Sequence, residues 1–83
     1  MNKILCVIRD LKANSYGTPC LFGGPKEAVR SFCDLLDDKQ TLIGRHPTDF
    51  QLIHVADWDE LEGVVSPVEH VVIVDGATYA SSN

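Results

Sequence analysis

Apolar residues are clustered at the start of the chain and sparse after it, and this pattern predicts a strand followed by a loop. Residues 3–9 form a short apolar run, rich in β-branched side chains and bounded by charges, which predicts an inner strand covered on both faces. Residues 10–24 are irregular: Asn-Ser-Tyr-Gly (14–17) is a turn-forming sequence, and Gly-Gly-Pro (23–25) ends the segment. Between these turns, residues 20–22 are predicted to form a short edge strand.

A helix is the clearest element that the pattern predicts. Pro25 occupies the first helical position, where its missing N–H costs nothing, and Glu27 favours the positive end of the helix. We expect the helix to end near residues 37–39. Its apolar stripe has the i, i+3, i+4, i+7 spacing of an amphipathic helix and consists of Ala28, Val29, Phe32, Leu35 and Leu36.

The C-terminal half predicts two strands joined by an acidic turn. Residues 50–58 alternate between two faces, one of which is formed by Phe50, Leu52, His54, Ala56 and Trp58. Residues 64–65 begin a return strand that Ser66 and Pro67 are expected to interrupt, because proline cannot donate to an interior ladder. The last strand is predicted over residues 68–75.

The order of these elements predicts an α+β fold. We expect a small two-layer domain with one helix packed on a three- to four-stranded, mostly antiparallel sheet. The domain is expected to cover residues 1–78, with a frayed C-terminal tail over residues 79–83. A domain of this size buries only about 60–65% of its unfolded surface. Because such small domains often gain stability by pairing, we expect a homo-oligomer.

The charge of the chain changes sign at Arg45. All seven Lys and Arg residues lie at or before this position, and residues 46–83 carry seven carboxylates. The first 45 residues therefore have a net charge of +2 and the remainder −7. This balance argues against a protein that coats nucleic acid or binds an anionic membrane surface. No apolar run approaches the roughly 20 residues that span a bilayer, so we expect an intracellular protein without membrane contact.

The three cysteines and three histidines carry the most reactive chemistry in the sequence. An odd number of cysteines without Cys-x-x-Cys spacing is not a disulfide framework and fits a reducing compartment. The spacings match no zinc pattern, and the acidic turn lacks the calcium-loop pattern. We expect no catalytic residue, no metal and no cofactor. A small enzyme or metal protein that pairs Cys6 with His54 remains a separate hypothesis.

Basic and aromatic residues of the N-terminal half are candidates for contact with nucleic acid. If they converge, they form a basic face with rings for stacking, which could hold single-stranded DNA weakly. The alternative is a solvated rim with two half-buried aromatic side chains. The candidates are Arg9, Lys12, Tyr16, Phe22, Lys26, Arg30 and Arg45.

Residues 41–52 join the predicted helix to the second strong strand. Thr41 can turn the chain after the helix, and Pro47 biases His46 toward extended geometry. These features favour a connector that sets strand register. The functional alternative has Arg45 and His46 exposed and in contact with a phosphate or a carboxylate.

Several segments of the chain carry a resemblance to a known family. In order, they are Tyr-Gly-Thr-Pro (16–19), Glu-Ala-Val-Arg-Ser-Phe (27–32), Thr-Leu-Ile-Gly (41–44), His-Pro-Thr-Asp-Phe-Gln-Leu (46–52) and the acidic turn (57–63). Their order and spacing resemble the small nonstructural protein of gokushovirus-type microviruses, which are tailless phages with circular single-stranded DNA genomes. The similarity covers residues 3–65 and contains no catalytic signature.

The resemblance implies a biological setting. It implies a non-virion protein in the host bacterial cytoplasm that acts in viral single-stranded DNA genome synthesis coupled to packaging. The implied partners are phage replication or capsid-assembly proteins, which a noncatalytic protein would contact directly. The alternative is direct, weak binding of single-stranded DNA by the basic N-terminal side.

Overall fold

Five antiparallel strands form one sheet in the computed structural model, which describes residues 2–82. The strands are β1 (Asn2–Asp10), β2 (Ser15–Tyr16), β3 (Cys20–Phe22), β4 (Phe50–Asp59) and β5 (Val64–Asp75). Their order is β2-β1-β4-β5, and β3 pairs with β1 further along the same edge as β2. The predicted α+β class is confirmed, with more strands than expected because the residues 15–16 also pair with β1.

The main helix, α1 (Pro25–Asp37), covers one face of the sheet. The Glu27 carboxylate accepts a hydrogen bond from the Gly23 N–H at 3.0 Å, which satisfies a backbone donor just before the helix. The core between helix and sheet contains the buried side chains Cys6, Ala28, Phe32, Leu36, Phe50 and Leu52. The predicted helix start, helix end and apolar stripe are therefore confirmed.

The predicted connector contains two short helical segments, α2 (Leu42–Arg45) and a 3-10 turn (Pro47–Asp49). The Thr41 hydroxyl accepts a hydrogen bond from the Gly44 N–H at 2.9 Å and so caps α2. Gly44 is buried against the end of α1, where a Cβ would lie 1.9 Å from the Asp38 carbonyl oxygen. Only glycine allows this close approach, and the segment delivers Phe50 into the core.

β5 is one continuous strand, so the expected interruption at Pro67 is wrong. Pro67 pairs opposite Ala56 within the β4–β5 ladder. β5 is the outermost strand of the sheet, and an edge strand tolerates proline because one of its sides has no ladder to supply. The register then shifts at two places: residues 68–70 of β5 pass a single residue of β4, and Ile73 is an extra residue between Val72 and Val74.

The C-terminal segment forms a third helix, α3 (Gly76–Ser82). The Asp75 carboxylate accepts hydrogen bonds from the Ala77 N–H at 3.3 Å and the Thr78 hydroxyl at 3.0 Å, which stabilises the first turn. The frayed tail predicted from residue 79 is therefore helical through Ser82, and residue 83 lies outside the described residues. The sequence interpretation treated Asp75 as the end of a strand and missed its second role as a cap.

Candidate interaction surfaces

Two of the predicted nucleic-acid residues, Arg9 and Tyr16, lie together on the face of the sheet opposite α1. They are cross-strand partners in β1 and β2. The Arg9 guanidinium carbon lies 4.5 Å from the centre of the Tyr16 ring, and the guanidinium also donates to the Asn14 side-chain oxygen. This cation–π contact fixes the arginine over the ring.

His70 of β5 joins this pair, although nothing in the sequence placed it there. Its ring meets the Tyr16 ring edge-on, with centroids 6.1 Å apart. β2 and β5 lie at opposite ends of the sheet order, so the sheet must curl for the two rings to touch. We call these three side chains the Arg9–Tyr16–His70 row. Beneath the row lie Val7 and Ile53, which are register partners and are only 6% and 5% exposed, although α1 packs on the other face of the sheet.

The other five predicted residues do not join the Arg9–Tyr16–His70 row. Phe22 is half-buried against the core on the α1 side. Lys26 and Arg30 are exposed on α1, in the layer behind the sheet, and Lys12 is exposed in the turn after β1. Arg45 is exposed on α2 and donates to the Gln40 carbonyl at 3.3 Å. The expected single basic face is thus divided between two sides of the molecule.

The end of the β4–β5 hairpin presents acidic and aliphatic side chains together. We define the acidic hairpin tip as residues 57–65, which include Asp57, Asp59, Glu60, Leu61, Glu62, Val64 and Val65. Leu61 is 83% exposed, and Val64 and Val65 are about half exposed at 48% and 53%. Leu61, Val64 and Val65 therefore expose apolar surface beside the carboxylates of the tip.

The turn at the acidic hairpin tip has a defined geometry. The Asp59 carboxylate accepts hydrogen bonds from the N–H groups of Leu61 at 3.0 Å and Glu62 at 3.2 Å. Gly63 takes the left-handed conformation, with φ of 67°, and its N–H bonds to the Asp59 carbonyl at 2.8 Å. At the base of the tip, Lys3 approaches Glu60 at 3.5 Å. These hydrogen bonds define the backbone of the turn that presents Leu61 to the surface.

Cys6 and His54 are register partners in β1 and β4, as the Cys–His hypothesis requires. Burial, with a smaller contribution from nearby Cys20, raises the pKa of the Cys6 thiol from 9.0 to about 11. The thiol is therefore protonated at neutral pH and is a poor nucleophile. The His54 Nε2 lies 2.8 Å from an oxygen of Asp57 and 3.0 Å from the Ala56 carbonyl. The geometry thus gives this hypothesis no activated nucleophile.

Cys20 lies opposite Cys6 across the β1–β3 pair, and both line an apolar pocket of about 250 Å³ beneath α1. Cys33 on α1 also has a raised pKa, because of its burial and then the carboxylates of Asp37 and Asp34. Within residues 2–82, no three His, Cys, Asp or Glu side chains are grouped so that they could hold a metal ion. In the same range, no helix is long and apolar enough to cross a membrane.

The fold and these surfaces define a small α+β protein built on one curled antiparallel sheet. A family model described as Phage ORF5 protein matches residues 3–79, and the chain belongs to this family. It is therefore a bacteriophage protein, as the resemblance to a phage family implied. No curated protein and no solved structure matches the chain.

Proposed function

We propose that this phage protein is a noncatalytic adaptor of the gokushovirus type, which acts in single-stranded DNA genome synthesis or packaging. It would work in the host bacterial cytoplasm by contacting a replication or capsid-assembly protein. Membership of the phage family supports a role in a phage. The observation that supports contact with a partner protein is the acidic hairpin tip, in which Leu61 is 83% exposed.

The chemistry of the acidic hairpin tip fits a basic protein surface with an apolar hollow. Proteins that handle DNA carry clustered Lys and Arg residues, because they must neutralise phosphates. The carboxylates of the tip would pair with such a cluster, while the Leu61 side chain would be buried against the apolar hollow of the partner. Charge complementarity of this kind speeds encounter and sets orientation, and the buried apolar anchor supplies affinity.

The rigidity of the hairpin favours binding. The carboxylate of Asp59 and the left-handed Gly63 fix the turn before any partner arrives. A preformed turn loses little conformational entropy on binding, so more of the contact energy appears as affinity.

A capture experiment from infected cells tests the proposal. Tagged wild-type protein should recover a basic replication or assembly protein, and Leu61→Ser should lower its recovery about tenfold or more. Leu42→Ser is the matched control, since Leu42 is 55% exposed on α2, outside the acidic hairpin tip. Recovery of the same phage partner by Leu61→Ser in wild-type amounts would overturn the role of the tip.

Direct binding of single-stranded DNA is the second candidate function, and the Arg9–Tyr16–His70 row favours it. Tyr16 is 52% exposed and carries the Arg9 guanidinium over its ring, and such an arginine–aromatic stack can receive a base. Anisotropy of a labelled oligonucleotide should then rise at low salt and fall steeply as salt is added. Anisotropy that stays flat at low salt would exclude this function.

A further inference from the structure

We propose that Cys6 and Cys20 are a modification site, which forms a reversible disulfide bond when the protein meets a low-molecular-weight disulfide such as glutathione disulfide. The two residues lie directly opposite each other in the antiparallel pair of β1 and β3. Both are free thiols in the structure. The site lies outside the acidic hairpin tip and does not depend on the adaptor function.

The backbone brings the two cysteines within reach of a disulfide bond. Directly opposite residues of an antiparallel pair have Cα atoms about 4.5 or 5.5 Å apart, depending on the hydrogen bonding at that position. Both separations lie within the range of roughly 4.4–6.8 Å that disulfides require. The β1–β3 register is regular from Ile4, opposite Phe22, to Cys6, opposite Cys20. The bond therefore needs no change in strand pairing.

The two thiols also share one side of the sheet. Opposite side chains of a strand pair are neighbours on one face, and both cysteines line the apolar pocket beneath α1. Burial raises the pKa of Cys6 and the nearby Cys20 raises it further, as expected for two thiols close together. The Cys20 thiol lies 3.8 Å from the Thr18 carbonyl oxygen. Because a thiol is a weak donor, turning it toward Cys6 loses little.

The short strand β3 can absorb the movement that the bond requires. Opposite Cβ atoms in a strand pair are about 4.5–5.5 Å apart, whereas those of a disulfide are about 3.5–4.5 Å apart. The bond would therefore draw the two strands slightly together. Among the described strands, β3 pairs with β1 alone and contains three residues. It can shift toward β1 without breaking a second ladder.

The third cysteine does not compete for this bond in the folded protein. Cys33 faces β5, where it lines a shallow depression together with Val29 and Val72. The pocket that contains Cys6 and Cys20 is lined on α1 by other residues, among them Phe32. The fold therefore favours the Cys6–Cys20 pair over either pair that includes Cys33.

Exposure sets the order of the two exchange steps. Cys20 is exposed, whereas Cys6 is 1% exposed. The Cys20 thiolate attacks one sulfur of the oxidant, whose S–S bond breaks and releases one thiolate. Cys6 then loses its proton to water, attacks the Cys20 Sγ and displaces the second thiolate. The cysteines lose two electrons in total, and the oxidant is reduced to two thiols. Because the pKa of Cys6 is about 11, the second step is the slow one near neutral pH.

The bond would change the stability of one part of the molecule. It would close residues 6–20 into a loop that contains Arg9 and Tyr16. A cross-link restricts the unfolded chain, so the oxidised protein should unfold at a higher temperature than the reduced protein. Thiols stay reduced in a reducing compartment, so the bond would form only when the surroundings become more oxidising.

Oxidation of the folded full chain by excess glutathione disulfide in mildly alkaline buffer tests the proposal. After quenching with acid, the remaining thiols are alkylated in urea and the peptides are mapped without reduction. We expect alkylation of Cys33 and a peptide pair that joins Cys6 to Cys20, in about tenfold excess over pairs with Cys33. Dithiothreitol should restore all three thiols and lower the midpoint of thermal unfolding.

Three variants serve as controls, with circular dichroism as the check of folding. Cys33→Ser should still form the bond. Cys6→Ala should stop at a mixed disulfide between glutathione and Cys20. Cys20→Ser should leave Cys6 unmodified as long as the protein is folded. If Cys6→Ala fails to fold, the wild-type peptide map and Cys20→Ser still decide.

Three results would overturn the proposal. They are a wild-type protein that accumulates the mixed disulfide on Cys20 without a bond to Cys6, a dominant bond to Cys33 in the folded protein, and two chains linked through Cys20. Partner capture by Leu61→Ser is a separate readout, so a failure of the adaptor function is distinguishable from a failure of the disulfide.

Discussion

The hydroxyl group of Tyr79 on α3 lies 2.9 Å from both carboxylate oxygens of Asp37, at the last residue of α1. The hydroxyl donates to the carboxylate and so ties the C-terminal helix to the main helix across 42 positions of sequence. Replacing Tyr79 with Phe removes this donor while keeping the ring. We expect a loss of about 0.5–1.5 kcal/mol in the free energy of unfolding, measured by urea denaturation.

The same contact can be isolated with a double-mutant cycle. Asp37→Ala removes the acceptor and Tyr79→Phe removes the donor, so the double variant should be more stable than the sum of the two single effects predicts. Strict additivity of the two losses would show that the pair does not interact in solution.

Gly44 is predicted to be intolerant of a side chain. A Cβ at this position would lie 1.9 Å from the Asp38 carbonyl oxygen and 2.9 Å from that of Leu35. Because both atoms belong to the backbone, Gly44→Ala should destabilise the fold by about 1–3 kcal/mol or more, seen as a lower midpoint of thermal unfolding. Gly24→Ala is the control, since a Cβ there meets nothing within 4 Å. Equal midpoints for the two variants would contradict the close packing of α2 on α1.

The two cysteines that face each other across β1 and β3 are predicted to differ in reactivity. Cys20 is exposed, whereas Cys6 is 1% exposed and its pKa is raised to about 11 by burial and by Cys20. Only the thiolate reacts with iodoacetamide. At neutral pH we expect Cys20 to be alkylated and Cys6 to stay unmodified until the protein unfolds. Peptide mass spectrometry measures both, and equally fast labelling of Cys6 in the folded protein would be inconsistent with its burial.

The raised pKa of Cys6 also predicts how stability depends on pH. The folded state keeps the thiol proton that the unfolded chain releases above its ordinary pKa of 9.0. The contribution of Cys6 is therefore fully present below pH 9 and is lost as pH rises toward about 11. Urea unfolding between these values should show a decline that Cys6→Ala reduces. An unchanged decline in Cys6→Ala would assign it to other groups.

Much of the fold follows from local patterns in the sequence. The helix stripe from Ala28 to Leu36 has a period that only a helix satisfies, and Pro25 marks its start. Two features depend on the tertiary context. Pro67 is compatible with a strand only because β5 lies at the edge, and Asp75 both ends β5 and caps α3. Neither edge position nor a shared role is visible in a single sequence.

The candidate site residues were only partly predictable for the same reason. Arg9 and Tyr16 are close in sequence, and a tight pair of strands brings them together. His70 reaches them only because β5 bulges and the sheet curls. Lys26 is also close in sequence to this pair, but α1 crosses to the other face of the sheet and carries it away. Distance along the chain therefore says little about which face a residue occupies.

Photo-crosslinking from position 61 in infected cells tests the adaptor proposal most directly. A photoreactive amino acid replaces Leu61, which is 83% exposed, or Leu42, which is 55% exposed, as the control. We predict that irradiation links position 61, and not position 42, to a basic phage replication or assembly protein. Absence of a phage-protein adduct at position 61, or equal yields of the same adduct at both positions, would contradict a contact made by the acidic hairpin tip.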